Sequence, residues 1–336
     1  MLKTALGPLS APRPAHVTAL FVVAILAGSL VGTASSAAGD LLGGLVDPLI
    51  MLLVGALFFT LRLGGWSALR RAPRTVALAL VMNFALIPII AFGITRLVVP
   101  DEALRLGVLI YCLFPCTDWF LGFTRLAKGD TTVGAALIPI QLVLQLALYP
   151  VWIGLFTGTR VSATLSEAGP AMLTWFVVPA AAALGLRAVL LLAPAAVRRN
   201  LIGGVDAAVP LVIASLIVTL FAANVGAILA DPLAFGWVLL AVFLFFVVSY
   251  ALGEGVARLF RLAPPEHALL TVTTSARNAP LMLALTAVAI PNQPAVTAAI
   301  VLGMLIEFPH LTAVTHMLRR ERATAPGLRP LPGVTR

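Results

Sequence analysis

The sequence predicts an all-α integral membrane protein with ten transmembrane helices, arranged as two inverted five-helix repeats. The first observation is composition: 61% of the 336 residues are hydrophobic and 10% are charged, and the mean hydropathy is +1.07. A soluble domain carries about 25% charged residues, so this chain could not cover a surface that faces water. The other two observations are the placement of basic residues and an internal repeat.

Ten apolar runs reach or exceed the length of about 20 residues that a membrane span requires. The predicted spans cover 17–36, 41–61, 75–98, 103–126, 131–157, 170–192, 203–229, 233–259, 266–290 and 294–318. A short N-terminal segment, 1–16, and a basic tail, 319–336, flank a transmembrane region, 17–318, whose repeats cover about 17–158 and 170–318. We expect both flanking segments to be cytoplasmic.

The net charge of +9 reflects basic residues that lie in short clusters between the apolar runs. With the N-terminus inside, 18 of the 22 Lys and Arg residues fall in cytoplasmic segments, three at external ends and one, Arg277, inside a span. This bias predicts cytoplasmic termini. Basic stripes with interleaved aromatic residues are missing, so the expected partners are a lipid bilayer and a small inorganic or organic substrate rather than nucleic acid.

The internal repeat relates spans two and four to spans seven and nine. A Gly-Gly pair opens span two at Gly43 and span seven at Gly203, and a proline follows the first acid of spans four and nine by 14 residues, at Pro115 and Pro280. The offsets are 160 and 165 residues. Because each half has an odd number of spans, the halves face opposite ways, which is typical of secondary transporters.

Pro115 and Pro280 also predict that spans four and nine are interrupted, because proline removes a backbone donor and clashes with the preceding turn. Interrupted spans in corresponding positions indicate a transporter's substrate site. A pair of packing kinks is the alternative. The residues expected to contact substrate flank the interruptions: Cys116, Thr117, Asp118, Arg277 and Asn278.

Charged side chains in a bilayer require a partner or water, since each costs about 2.5–3.5 kcal/mol even on insertion scales. Asp118 follows Pro115 by three residues and Arg277 precedes Pro280 by three. The two could therefore form a pair where the interrupted helices cross, or each could pack independently.

Cys116 directly follows the first interruption, and a thiolate is a soft ligand that suits ions such as trivalent arsenic. It could equally be a small buried hydrophobe. Glu307 lies in the middle of span ten. An intramembrane carboxylate is a functional candidate, here a possible proton carrier, or else a buried acid that is hydrogen-bonded to a neighbour.

These segments resemble the arsenical-resistance permeases of the bile acid:sodium symporter superfamily. The resemblance rests on Phe114–Thr117 and Leu126–Asp130 in span four, and on Ser275–Asn278 with Leu281 and Ala284 in span nine. It implies ten helices with crossed fourth and ninth helices, arsenite efflux, and an essential cysteine that corresponds to Cys116.

The sequence departs from the superfamily at two points. Where the permeases carry a glutamate shortly after the asparagine of the ninth helix, this chain has Pro280. Where the symporters use an acid and a glutamine for sodium, it has Thr273 and Arg277, and a guanidinium would repel sodium.

The sequence therefore predicts an arsenite exporter of the plasma membrane that works by alternating access, is proton-coupled and needs no cofactor. An organic-anion symporter like the bile acid branch is the alternative. A membrane enzyme is disfavoured, since the sequence has no histidine pair for a metal, no GxSxG elbow and no P-loop.

Overall fold

In a computed structural model of the chain, residues 14–61, 66–117, 119–158, 177–290 and 293–324 are described. Their regular structure is helical. The helices are α1 (Pro14–Ala34), α2 (Ser36–Gly43), α3 (Val46–Thr60), α4 (Trp66–Arg71), α5 (Pro73–Val81), α6 (Ile87–Val98), α7 (Glu102–Leu113), α8 (Phe120–Leu126), α9 (Thr131–Thr157), α10 (Val178–Leu190), α11 (Ala195–Ala230), α12 (Pro232–Leu259), α13 (Pro264–Ser275), α14 (Ala279–Ala289) and α15 (Pro294–Thr324).

The prediction of a helical membrane protein is confirmed. Within the described ranges, six helical segments are long and apolar enough to cross a membrane, and two shorter apolar helices accompany them. The six are Ser36–Thr60, Pro73–Val98, Thr131–Thr157, Ala195–Ala230, Pro232–Leu259 and Pro294–Glu321. The number ten and the inverted repeat remain predictions; the first part of predicted span six, 170–176, lies outside the described residues.

Predicted spans three, four and nine depart from a uniform α-helix. Span four consists of α7 and α8, and span nine of α13 and α14. Span three contains a π-helical turn, Met82–Leu86, between α5 and α6; such turns are rare and occur frequently at functional sites. Predicted span ten is longer than expected, because α15 continues to Thr324.

Small residues allow α1 and α2 to pack closely on α11. A Cβ atom added at Gly28 would lie 2.5 Å from the carbonyl oxygen of Val218, and one at Gly32 would lie 2.2 Å from that of Ala222. Glycine permits such close backbone approach, and small residues four apart are typical of helix pairs in membranes.

Glycine residues also allow α7 to pack closely against α15. A Cβ atom at Gly107 would lie 2.5 Å from the carbonyl oxygen of Val296, and one at Gly303 would lie 2.6 Å from the ring of Tyr111. Tyr111 is fully buried. The absence of a side chain at position 303 therefore leaves room for the tyrosine ring, and this contact positions the site described next.

Candidate functional site at the helix crossing

The two interrupted spans meet at their unwound segments. Pro115 and Arg277 form an isolated antiparallel bridge. The amide of Cys116 donates to the carbonyl oxygen of Ala276 at 3.0 Å, and the amide of Asn278 donates to that of Phe114 at 3.1 Å. Inside a membrane each freed backbone group must find a partner within the protein, and here each segment supplies partners to the other.

The side-chain amides of Asn278 and of Gln145 on α9 complete the crossing. The amide nitrogen of Asn278 donates to the hydroxyl of Thr117 at 3.1 Å and to the amide oxygen of Gln145 at 2.8 Å. Gln145 in turn donates to the carbonyl oxygen of Pro115 at 3.0 Å. The Asn278 side chain also accepts from the amide of Leu281 at the start of α14. Asn278 thus links both interrupted spans and α9.

Arg277 is completely buried, and its guanidinium is bound by uncharged oxygens. Nη1 donates to the carbonyl oxygen of Cys112 at 3.2 Å. Nη2 lies 3.0 Å from the amide oxygen of Asn83, 3.2 Å from the carbonyl oxygen of Thr273 and 2.7 Å from that of Thr274. Among the described residues, no carboxylate forms an ion pair with this guanidinium.

Glu307 of α15 is also fully buried, and three donors surround its carboxylate. Oε1 accepts from the backbone amide of Arg277 at 2.9 Å and from the indole of Trp119 at 2.9 Å. Oε2 accepts from the hydroxyl of Tyr111 at 2.8 Å. Glu307 therefore holds the unwound segment of span nine against both parts of span four.

Cys116 and Cys112 are both fully buried and form no disulfide. Cys116 lies in the unwound segment itself, next to Thr117, and its amide joins the two crossing chains. Cys112 lies near the end of α7, where its carbonyl oxygen is used by Arg277. Cys116 therefore lies at the crossing itself, whereas Cys112 lies in the helix that precedes it.

The structure brings together Pro115, Cys116, Thr117, Arg277 and Asn278, and their role in substrate binding stays a prediction. Glu307 joins them, although it was predicted separately as a proton carrier. Asp118, the predicted partner of Arg277, lies outside the described residues. Pro280 is the second residue of α14, so the unwound residues are the three that precede that helix. A proline is well placed there, since the first amides of a helix have no partner within it.

The sequence analysis missed three contributors: Asn83, Tyr111 and Trp119. Asn83 had a usable signal, because it is a lone amide near the middle of a strongly apolar span. Tyr111 and Trp119 had none, because aromatic residues are common in membrane helices and their partner lies almost 200 positions away, at separations of 196 and 188 residues.

Comparison with known proteins identifies the family. The sequence model of the Sodium Bile acid symporter family matches residues 47–231, which is more than half of the chain and includes the first interrupted span. The match ends before α12, so Arg277 and Glu307 lie beyond it. No curated protein matches the chain. The chain therefore belongs to the Sodium Bile acid symporter family and is a multi-pass membrane transporter.

Proposed function

We propose that this transporter exports arsenite from the cell in exchange for protons, and that it does so without sodium. The single observation that carries the proposal is the position of Cys116, a thiol in the unwound segment where the two interrupted spans cross. Unwound segments of this kind form the substrate sites of secondary transporters.

Sulfur is the chemical reason for assigning a metalloid. Arsenite exchanges its oxygen ligands for sulfur, and soft ligands select soft ions. Thr117, next to Cys116, accepts a hydrogen bond from Asn278, and its own hydroxyl hydrogen can be donated to a hydroxyl group of arsenite. A single thiol binds the ion loosely enough for release.

The crossing also supports the proposed architecture and mechanism. We propose ten helices in two inverted repeats, placed in the plasma membrane with both termini in the cytoplasm. The interrupted spans occupy corresponding positions in the predicted repeats, so a rocking motion of the two parts about the crossing would expose Cys116 to each side in turn.

Replacement of the thiol tests the assignment. Cys116→Ser keeps the size of the side chain and a hydrogen-bonding atom but loses the sulfur, so we expect it to abolish protection of arsenite-sensitive cells at unchanged expression. Cys112→Ser is the matched control and should have a milder effect, because that thiol lies in α7 and outside the unwound segment. Full arsenite resistance from Cys116→Ser would remove the chemical reason for a metalloid substrate.

One observation favours the alternative, an organic-anion symporter. An open apolar groove of about 460 Å³ lies between α3 and α10 and has room for the hydrophobic body of such an anion; its lining includes Met51, Phe59, Pro179 and Leu186. The guanidinium of Arg277 is less suited to the anionic group, since internal oxygens already bind it. Uptake of a bile acid that is unaffected by Cys116→Ser would favour this alternative.

A further inference from the structure

The three groups that bind the carboxylate of Glu307 differ in one chemical property. The backbone amide of Arg277 and the indole of Trp119, which both point at Oε1, can only donate a hydrogen bond. The hydroxyl of Tyr111, which is 2.8 Å from Oε2, can donate or accept. The two oxygens of this carboxylate are therefore not equivalent.

This difference decides where a proton can be added. A hydrogen on Oε1 would point at two donors that are 2.9 Å away and would break at least one of those bonds. A hydrogen on Oε2 can be accommodated if the Tyr111 hydroxyl turns so that its oxygen accepts. The hydrogen bond between Tyr111 of span four and Glu307 of span ten is then kept in both protonation states.

We propose that Glu307 and Tyr111 together form the proton-binding site of this transporter, with the proton on Oε2 of Glu307 and the Tyr111 hydroxyl reversing its hydrogen bond to hold it. In this step one O–H bond forms on Oε2, the carboxylate loses its negative charge, and the tyrosine keeps its own proton. Release to water on the other side of the membrane reverses each change. The inference deepens the proposed proton exchange and rests on it.

Proton binding to Glu307 changes the balance of charge at the crossing. The titratable groups that face it from the described elements are Arg277 in the crossing and Tyr111 and Cys112 on α7. With Glu307 ionised, its charge offsets that of Arg277. Protonation leaves the buried guanidinium uncompensated, and an unpaired charge inside a membrane is costly. A proton on Glu307 therefore favours rearrangement of the crossing.

Tyr111 is a positioning residue in this scheme, and its position depends on α15. Its ring lies against Gly303, one helical turn before Glu307, and contacts Phe246 edge-on at 6.3 Å between centroids. These contacts restrict the ring, so that the hydroxyl has only rotation about its C–O bond with which to respond to the proton.

Infrared difference spectroscopy on the purified transporter tests the site without any substrate. We expect the C=O stretch of a protonated carboxylic acid to appear as the pH is lowered, and Glu307→Gln to abolish it. Tyr111→Phe should shift this band to the frequency of an acid without that hydrogen bond. Tyr149→Phe is the matched control, since Tyr149 is a fully buried tyrosine on α9, and it should leave the band unchanged.

Arsenite-driven proton movement in vesicles gives the second measurement. We expect Tyr111→Phe to slow it by about tenfold, the effect of one hydrogen bond, and Tyr149→Phe to leave it unchanged. The inference is overturned if no Glu307 band appears from mildly acidic to mildly alkaline pH, or if Tyr111→Phe leaves that band unshifted. Failure of arsenite to move would contradict the proposed function alone, because the infrared result does not depend on substrate.

Discussion

Arg277 shows how a single side chain can change the chemistry of an ion site. Backbone carbonyls at the end of an interrupted helix are the groups that coordinate sodium in many secondary transporters. Here the carbonyl oxygens of Cys112, Thr273 and Thr274 and the amide oxygen of Asn83 all bind the guanidinium. A fixed positive charge thus uses the oxygens that a mobile cation would need.

This arrangement predicts that transport does not depend on sodium. Replacement of sodium by potassium in vesicles should leave the rate of arsenite transport unchanged, because two positive charges a few ångströms apart repel one another strongly at low dielectric. The same vesicles, measured with and without a pH gradient, are the control, because they show that the gradient drives transport. A steep dependence on sodium concentration would contradict both the role of Arg277 and the arsenite assignment.

Among the helices, the packing of α1 against α11 depends on glycine. The contact between α1 and α11 has no room for a methyl group at Gly32, where the nearest atom is a backbone carbonyl oxygen. A backbone atom cannot move aside as the end of a flexible side chain can. The two helices must therefore separate if the residue grows.

Gly32→Ala is accordingly expected to destabilise the protein by about 1–3 kcal/mol, as overpacking in a closely packed core does. Gly93→Ala on α6 is the matched control, since an added Cβ there meets nothing within 4 Å, and it should be neutral or slightly stabilising. Thermal unfolding in detergent measures both. Equal unfolding temperatures for the two variants would show that α1 and α11 are not held as closely as described.

For the whole molecule, the loops predicted to share a side of the membrane lie together. Arg74, at the start of α5, lies over the ring of Phe260, at the end of α12, at 5.1 Å. Arg258 contacts Glu321 of α15 at 3.4 Å. At the opposite end, a common cavity is lined by Val99, Pro100, Asp101, Asp231, Leu233, Ala234 and Trp237. These contacts place the start of α5, the end of α12 and the end of α15 at one end of the molecule, which agrees with the alternation inferred from basic residues.

We therefore predict the orientation of labelled sites. Arg71→Cys and Arg320→Cys should react with a membrane-impermeant thiol reagent only from the cytoplasmic side, and Glu102→Cys only from outside. All three positions are exposed, and the two native cysteines are buried, so they supply little background. Labelling of Arg71→Cys and Arg320→Cys from opposite sides would refute an even number of spans between them.

The sequence alone determined the features that depend on local chemistry. Composition predicts a helical membrane protein, because too few charges are present to face water. Proline chemistry predicts the interruptions near Pro115 and Pro280, because a missing amide and a steric clash act on adjacent turns. Burial of Arg277 and Glu307 follows from their place in apolar runs.

The tertiary structure alone decided which groups form hydrogen bonds with those buried residues. Asn83 lies 194 positions from Arg277 in the sequence, and Tyr111 and Trp119 lie 196 and 188 positions from Glu307. A pattern of neighbouring residues cannot predict contacts over such separations. A buried polar group must find a hydrogen-bond partner, which makes the need for partners predictable. Their identity depends on which helices pack together and on how closely the glycines at Gly107 and Gly303 let them approach.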